Sequence, residues 1–549
     1  MRRFIKDAVY RKSILKLTIP LSILLGLALS FGMFLEKDGK INFSDLSVYL
    51  IGGMYALAAL LFFIAIWVNL DIYIERPAKL KINFPSARIH WAAIFLFLVI
   101  CYTITFLAVF PGFFAYDATM AYLQVYRGEL TSQHPWIHTL LLGYICEFSM
   151  SHLGHANVGI AIYIYTQMLF VAGCFTYTLY SIKIRTKHNF ILFFSFLFYA
   201  LFPTIHMFAL CSTKDTIFTA VMLILIILLR NMFGNAEQFF SSKLNCTAFI
   251  LFAFAFMILR KNAIYAMIAF TPFFLYFLKR HRRKGILLLA IAFSLFYFYD
   301  IPLTKAVGIR NIGPQESLSV PSQQLARAYN EDIGLFTDEE IRSIENFYPR
   351  NSLEAYLPKL ADCTKGMLNR EYFESHIGEY VKLWVSIGLK APDIYLNSFL
   401  VNTYGFWYPF ASLDGYKGYV GIEGTNLEKA EVFYFAYETE KPGERISLIP
   451  PLDSFYFWIS TTNLHHKIPV LSLLFSPGFL FWVFVASGLY CIHQKRRQYY
   501  PAFILMFLLW LTVQLGPISL VRYVLFLFFA LPIIISAVDT REACTDEKK

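Results

Sequence analysis

The chain has 549 residues, of which 57% are hydrophobic, 18% aromatic and only 15% charged. That balance excludes an ordinary soluble protein and points to a chain that crosses a bilayer many times. The formal charge of +11 is no nucleic-acid footprint, because no basic, aromatic-interleaved binding module accompanies it.

Apolar runs of about 17 to 25 residues, the length that crosses a hydrocarbon core of about 30 Å, recur along the chain. Twelve lie near 14–34, 46–69, 91–110, 158–182, 190–209, 214–230, 245–260, 262–278, 284–302, 467–491, 500–515 and 519–537. The first is long and no small-residue cleavage site stands out behind it, so it reads as a retained helix rather than a signal peptide. Basic residues cluster in alternate connections: Arg2, Arg3, Lys6, Arg11, Lys12 and Lys16; then Arg76, Lys79, Lys81 and Arg88; Lys183, Arg185 and Lys187; Lys279 to Lys284; and Lys495 to Arg497. By the positive-inside rule those connections and both termini are cytoplasmic.

The expected fold is an all-α polytopic membrane protein. Residues 1–110 carry spans one to three, 111–157 an extracytoplasmic loop, 158–302 spans four to nine, 303–465 an extracytoplasmic domain, 466–538 the last three spans and 539–549 a cytoplasmic tail. Within the loop, the apolar stretch 136–149 is short for a crossing, contains Glu147 and opens on His-Pro-Trp, so it reads as a juxtamembrane helix at the interface. The 303–465 segment holds 14 Lys and Arg against 21 Asp and Glu, a net of −7, which leaves +18 for the rest of the chain. It reads as mainly helical, with a capping box at Thr337-Asp-Glu-Glu340 and helical apolar spacing over 372–389. Tyr404-Gly-Phe-Trp-Tyr-Pro409 suggests interfacial aromatics, and 446–457, with two prolines, a return loop. Eight cysteines form no framework, and no Cys-x-x-Cys pair, phosphate-binding loop, dinucleotide fingerprint or His-Glu-x-x-His motif is present.

The chemistry is concentrated in polar residues that this topology puts on the outer side. Asp117, in Phe110-Pro-Gly-Phe-Phe-Ala-Tyr-Asp-Ala-Thr119, follows the third apolar run and precedes Gln133-His-Pro-Trp-Ile-His138. Lys214-Asp215, Arg260-Lys261 and Arg522-Tyr523 occupy outer turns or the edge of the last span. Outer turns are ordinarily poor in Lys and Arg, so paired cations there invite an anionic ligand at the outer leaflet, although each alone also suits snorkelling to the interface. Asp117 also suits a turn or helix-capping role. His134 and His138, four apart, share one helix face and suit interfacial hydrogen bonding, orientation of Asp117, or a metal with Asp117 as third ligand.

This layout resembles the GT-C superfamily of integral membrane glycosyltransferases, which use sugars linked to a polyprenyl phosphate. The matching features are Tyr116-Asp117 in the first large outer loop, the helix opened by His134-Pro135, the acidic turn Lys214-Asp215 and the late Arg522-Tyr523. With Ser319-Val-Pro-Ser-Gln-Gln-Leu-Ala-Arg327 and Asn402-Thr-Tyr-Gly-Phe-Trp-Tyr-Pro409 they look most like a branch from Gram-positive bacteria. Trp136 departs from relatives that carry a second proline after His-Pro. The resemblance implies Asp117 as general base, supported by Tyr116, His134, His138 and Asp215, with Lys214, Arg260, Lys261 and Arg522 on the donor phosphate. It implies a polyprenyl-phosphate-linked sugar and a cell-envelope glycan or glycolipid acceptor as partners, no required cofactor, and no nucleic acid. A transporter or flippase of lipid-linked glycans is the alternative from another class; against it, intramembrane charges are scarce and no inverted repeat of broken helices is visible.

Overall fold

The computed structural model describes residues 2–75, 88–186, 188–416, 434–462 and 464–539. The basic residues Arg76, Lys79, Lys81 and Lys187, and the tail from 540, lie outside them. The described residues form helices joined by turns, and β structure is limited to isolated bridges.

Among the described residues, seven helical stretches are long and apolar enough to cross a membrane, and a bent pair makes up to eight. Four of them, Ala8–Asp38, Leu46–Glu75, Asn157–Lys183 and Lys214–Gly234, cover expected spans and exceed them at one or both ends. The expected run 190–209 is instead the pair Asn189–Leu201 and Pro203–Ala209, bent by 54°. Pro203 has no N–H to continue the first helix and sits at the start of the next, a position that suits it. The runs near 245–260, 467–491 and 500–515 contain shorter helices, Lys243–Leu259, Pro477–His493 and Tyr500–Val513. In the second of these, Ser476 caps the helix by accepting from Phe479 N, so the chain before it breaks into the short turns Leu464–Lys467 and Leu471–Phe475. The continuous stretch Ala263–Val307 folds back on itself: a Cβ on Gly285 would lie 2.2 Å from Leu278 and 3.0 Å from Phe274, contacts that a straight helix excludes.

Apolar helices have no hydrophobic drive to associate within lipid, so close fit holds them. Ala8–Asp38 and Leu46–Glu75 meet where a Cβ on Gly26 would reach Gly52 O at 2.5 Å. Near the end of the second helix, buried Asp71 receives Tyr10, Tyr490 (2.5 Å), Gln494 and His493 (3.2 Å), which ties both helices to Pro477–His493. The centre of the molecule is set by burial. Of the candidate spans, Lys214–Gly234 and Val521–Asp539 are 78% and 83% buried over their most apolar window, against 22–56% for the others. Lys214 and Arg522 therefore sit at the ends of the two innermost helices.

Residues 314–403 form a group of short helices with an apolar core of their own, including Leu325, Phe347, Tyr348, Tyr380 and Ile387. The capping box is present: Thr337 Oγ1 accepts from Glu340 N, and Glu340 accepts from Thr337 N. The helix expected over 372–389 is divided at His376 into Arg370–Ser375 and Ile377–Lys390. Tyr404, Phe406 and Tyr408 are buried, and Tyr404 and Tyr408 pack with Leu35, Ile41 and Val48 where the first two apolar helices are joined. One expectation is corrected. Only the first part of 446–457 is loop, since Pro450–Thr461 is a helix with prolines in its first turn, where their missing N–H groups cost nothing.

Candidate active site

The Asp117 turn is held by backbone pairing to the segment that leads into Lys214. Phe113 N donates to Leu210 O (2.9 Å) and Ser212 N to Phe113 O (3.0 Å), forming a parallel bridge beside Cys211. Gln167 of Asn157–Lys183 fixes the other side by donating to Cys211 O at 2.7 Å. Gly112 lies at φ +113, and a Cβ there would lie 2.5 Å from Ile164, so both backbone and space require glycine. Tyr116 adopts the left-handed region at φ +62, an unfavourable place for an aromatic residue. Its ring is held under Arg522, whose guanidinium carbon is 4.6 Å from the ring centroid, and its hydroxyl accepts from Ala436 N.

Asp117 occupies the N-cap position of the Ala118–Arg127 helix but makes no capping hydrogen bond with its side chain. The carboxylate turns away to the cations: Lys214 Nζ donates to Oδ2 at 2.6 Å and Arg522 Nη1 to the same oxygen at 3.0 Å. A capping role therefore does not account for this residue. Its side chain keeps 28% of its exposure, while those of Lys214 and Arg522 keep 15% and 10%. Burial alone would raise the Asp117 carboxyl, yet Arg522 and Lys214 together hold it well below the usual carboxylate range.

Lys214 Nζ also donates to His134 Nδ1 at 2.8 Å. An ammonium has no lone pair, so Nδ1 must be the unprotonated nitrogen and the ring neutral with its proton on Nε2. Burial and the Lys214 charge agree, pushing His134 down to about 3. Lys214 thus fills the space a metal shared by Asp117 and His134 would need, and among the described residues no three metal-ligating side chains converge. His138 does not join them: it is buried edge-on against Tyr163, with Nε2 unpartnered among the described residues. Burial, then Lys214, pushes His138 down to about 4.

Asp215 pairs with cations other than its neighbour Lys214. Its side chain is 1% exposed, with Oδ1 3.0 Å from Arg260 Nη1 and Oδ2 3.9 Å from Arg522 Nε. The Arg260 contact is an ion pair off the hydrogen-bond line. The Arg260 guanidinium also faces the Tyr523 ring at 5.0 Å. Lys261 stands apart on the wall of a cavity of about 450 Å³ that it shares with His134. The lining of that cavity is mixed, with polar Ser132, Asp300 and Asn311 beside apolar Met257, Ile258 and Phe296. Burial, partly offset by Glu316, lowers the Lys261 ammonium.

Three cations, Lys214, Arg260 and Arg522, thus face two carboxylates, Asp117 and Asp215, with His134 neutral beside Lys214, while Lys261 shares the adjoining cavity with Asp300. The surplus of about one positive charge in the cluster suits an anion. Glu440, absent from the sequence reading, also lies beside this cluster and interacts with Asp117 and Arg522. Its irregular surroundings carry no periodicity that would have marked it.

A model of a protein family matches residues 126–549, more than half of the chain, and is described as a family of unknown function, DUF6020. The chain belongs to that family. The DUF6020 match contains His134, Lys214, Asp215, Arg260, Lys261 and Arg522, whereas Asp117 lies nine residues before its start. No curated protein and no solved structure matches the chain.

Proposed function

We propose that this DUF6020 protein is a membrane glycosyltransferase that moves a sugar from a polyprenyl-phosphate donor to a cell-envelope glycan or glycolipid, on the extracytoplasmic side and with inversion. The expectation of about twelve spans in a GT-C-like arrangement, with both termini cytoplasmic, belongs to the same reading. The observation that carries it is the pairing of one partly exposed carboxylate, Asp117, with Lys214 and Arg522 inside a cluster that has surplus positive charge. The adjoining half-apolar cavity supports a ligand that is part phosphate and part lipid.

On this reading the acceptor oxygen attacks the anomeric carbon while the bond from that carbon to the phosphate oxygen breaks, its electrons remaining on the phosphate. A lipid phosphate leaves as a stable anion, so it needs cations rather than a proton donor. Lys214, Arg260, Lys261 and Arg522 supply them, already oriented and shielded from bulk water. Asp117 takes the hydroxyl proton. Paired with two cations it is a weak base, but an arriving phosphate competes for Lys214 and Arg522 and thereby returns proton affinity to the carboxylate when the donor is in place. His134 keeps Lys214 oriented, Asp215 holds Arg260, and Tyr116 supports Arg522.

The test uses the purified protein in lipid with a polyprenyl-phosphate-linked sugar and a cell-wall glycan, and compares wild type with Asp117→Asn. Release of polyprenyl phosphate by wild type and its loss in the variant are expected. Equal release by both overturns the role of Asp117. Movement of the lipid-linked sugar across the bilayer without transfer replaces the enzyme with a flippase.

A further inference from the structure

The segment 436–448 is irregular, yet it is strapped to the Asp117 turn along its whole length. Ala436 N donates to Tyr116 Oη, Thr439 Oγ1 to Gly112 O (2.8 Å), Glu440 N to Phe114 O (2.8 Å), Ile446 N to Phe110 O (2.8 Å) and Leu448 N to Leu107 O (3.0 Å). Thr119 Oγ1 returns the grip by donating to Lys441 O at 2.8 Å. Glu440 is thus fastened through Phe114, three residues before Asp117, and its neighbour Lys441 through Thr119, two residues after it. The strap fixes the Glu440 backbone beside the Asp117 turn, within electrostatic reach of Asp117 and Arg522.

We propose that Glu440 is the proton sink of the Asp117 site: the proton that Asp117 takes from the acceptor hydroxyl passes to the Glu440 carboxylate and leaves from there. The proposal rests on the transferase reading above. The acceptor O–H bond breaks as the new bond to the anomeric carbon forms, the phosphate departs with the electron pair, and the proton ends on a Glu440 oxygen before exchange with outside water. No further reactant is needed.

The direction of transfer follows from the surroundings of the two carboxyls. Asp117 is beside Arg522 and Lys214 and keeps a proton poorly. Burial pushes Glu440 up to about 7; Glu438 and Asp117 add to the rise, while the Thr119 hydroxyl and Arg522 oppose it. Among the described residues, Glu438 from the strap, Asp117 from the turn, Arg522 and the Cys211 thiol are titratable and charged groups that act on Glu440. Two neighbouring carboxyls whose environments drive them apart divide the tasks of abstracting and storing a proton. Glu440 acts through Asp117, without contact to the sugar.

Two measurements on the full chain in lipid test this. Dicyclohexylcarbodiimide adds only to protonated carboxyls in apolar surroundings, giving a stable N-acylurea that mass spectrometry assigns to a residue. Wild type is expected to be modified at Glu440, with labelling that falls as the pH is raised through about 7. Absence of labelling at Glu440 from about pH 5 to about pH 8 overturns the proposal. In the transfer assay, wild-type kcat should rise with pH through the same region, since only ionised Glu440 receives a proton. Glu440→Gln should lower kcat about tenfold or more and remove that limb, and Glu440→Asp should restore it. A Gln variant with wild-type kcat and an unchanged profile also overturns it. If wild type releases no lipid phosphate while Glu440 still titrates in the labelling experiment, the transferase reading has failed and the protonation of Glu440 stands.

Discussion

Lys214 Nζ lies 2.6 Å from Asp117 Oδ2, joining residues 97 positions apart across the mouth of the most buried part of the molecule. The same oxygen takes Arg522 from 405 positions away. Loss of this carboxylate leaves Lys214 with the neutral His134 and Arg522 with its 3.9 Å contact to Asp215, which Arg260 already occupies. Asp117→Asn is therefore expected to reduce transfer by a factor on the order of 10² to 10⁴ and to destabilise the fold by about 1–3 kcal/mol. The double variant Asp117→Asn with Lys214→Met removes one uncompensated charge and should recover thermal stability in detergent without recovering activity. Recovery of activity in the double variant would make the pair an architectural contact.

Asp215 and Arg260 form a more deeply buried pair, with side chains 1% and 12% exposed. Breaking a pair of that kind costs more than breaking an exposed one, because the remaining charge cannot reach water. Asp215→Asn should lower the melting temperature more than Asp117→Asn does. A smaller drop would mean that Arg260 finds another counter-charge, which scanning calorimetry or a thermal-shift series on both variants would reveal.

Lys261 differs from the other cations because it lines the cavity and is without an ion pair at salt-bridge distance among the described residues. Lys261→Gln should leave the melting temperature unchanged and raise KM for the lipid-phosphate donor about tenfold or more, the worth of a hydrogen bond to a charged group. A fall in kcat with KM unchanged would move Lys261 to the transition state instead.

The contrast between these cations marks what the sequence can reveal about the site. Lys214, Arg260, Lys261 and Arg522 were legible because cations in expected outer turns run against the ordinary distribution of charge. Which carboxylate each one meets was not legible: Lys214 and Asp215 are neighbours in the sequence, yet side-chain directions at the start of the Lys214–Gly234 helix send Lys214 to Asp117 and Asp215 to Arg260. Glu440 was invisible for another reason. Backbone hydrogen bonds across more than 300 residues bring it to Asp117, and such pairing leaves no pattern in side-chain type. Among the helices, the apolar runs and the Thr337 capping box were readable because they depend on near neighbours. The burial of Tyr404 and Tyr408 depends on contact with Leu35 and Val48, which no local window contains.

Glu340 supplies a stability test away from the site. It accepts from Thr337 N (2.9 Å), Lys390 Nζ (2.6 Å) and Ser386 Oγ (2.8 Å). Although burial opposes ionisation, these bonds, that from Lys390 foremost, pull its carboxyl down to about 2. A carboxyl depressed in the folded state stabilises that state above its unfolded value of about 4.5, and the contribution is lost as pH falls from there toward about 2. Wild type should lose melting temperature across that window, and Glu340→Gln should lose less. Equal slopes for the two would show that the Lys390 contact carries no weight.

The sidedness of the site can be read directly. In a variant stripped of its native cysteines, Glu129→Cys places a thiol at the exposed end of the Ala118–Arg127 helix, twelve residues beyond Asp117. A membrane-impermeant maleimide added to intact cells should label it, whereas a cysteine at Lys495, in an expected cytoplasmic turn, should react only after the membrane is opened. A lipid-phosphate sugar donor already carried across the bilayer meets Asp117 only in the first arrangement. The reverse labelling pattern would put Asp117, Lys214 and Arg522 on the side where nucleotide sugars are available, and the reason for a lipid-linked donor would disappear.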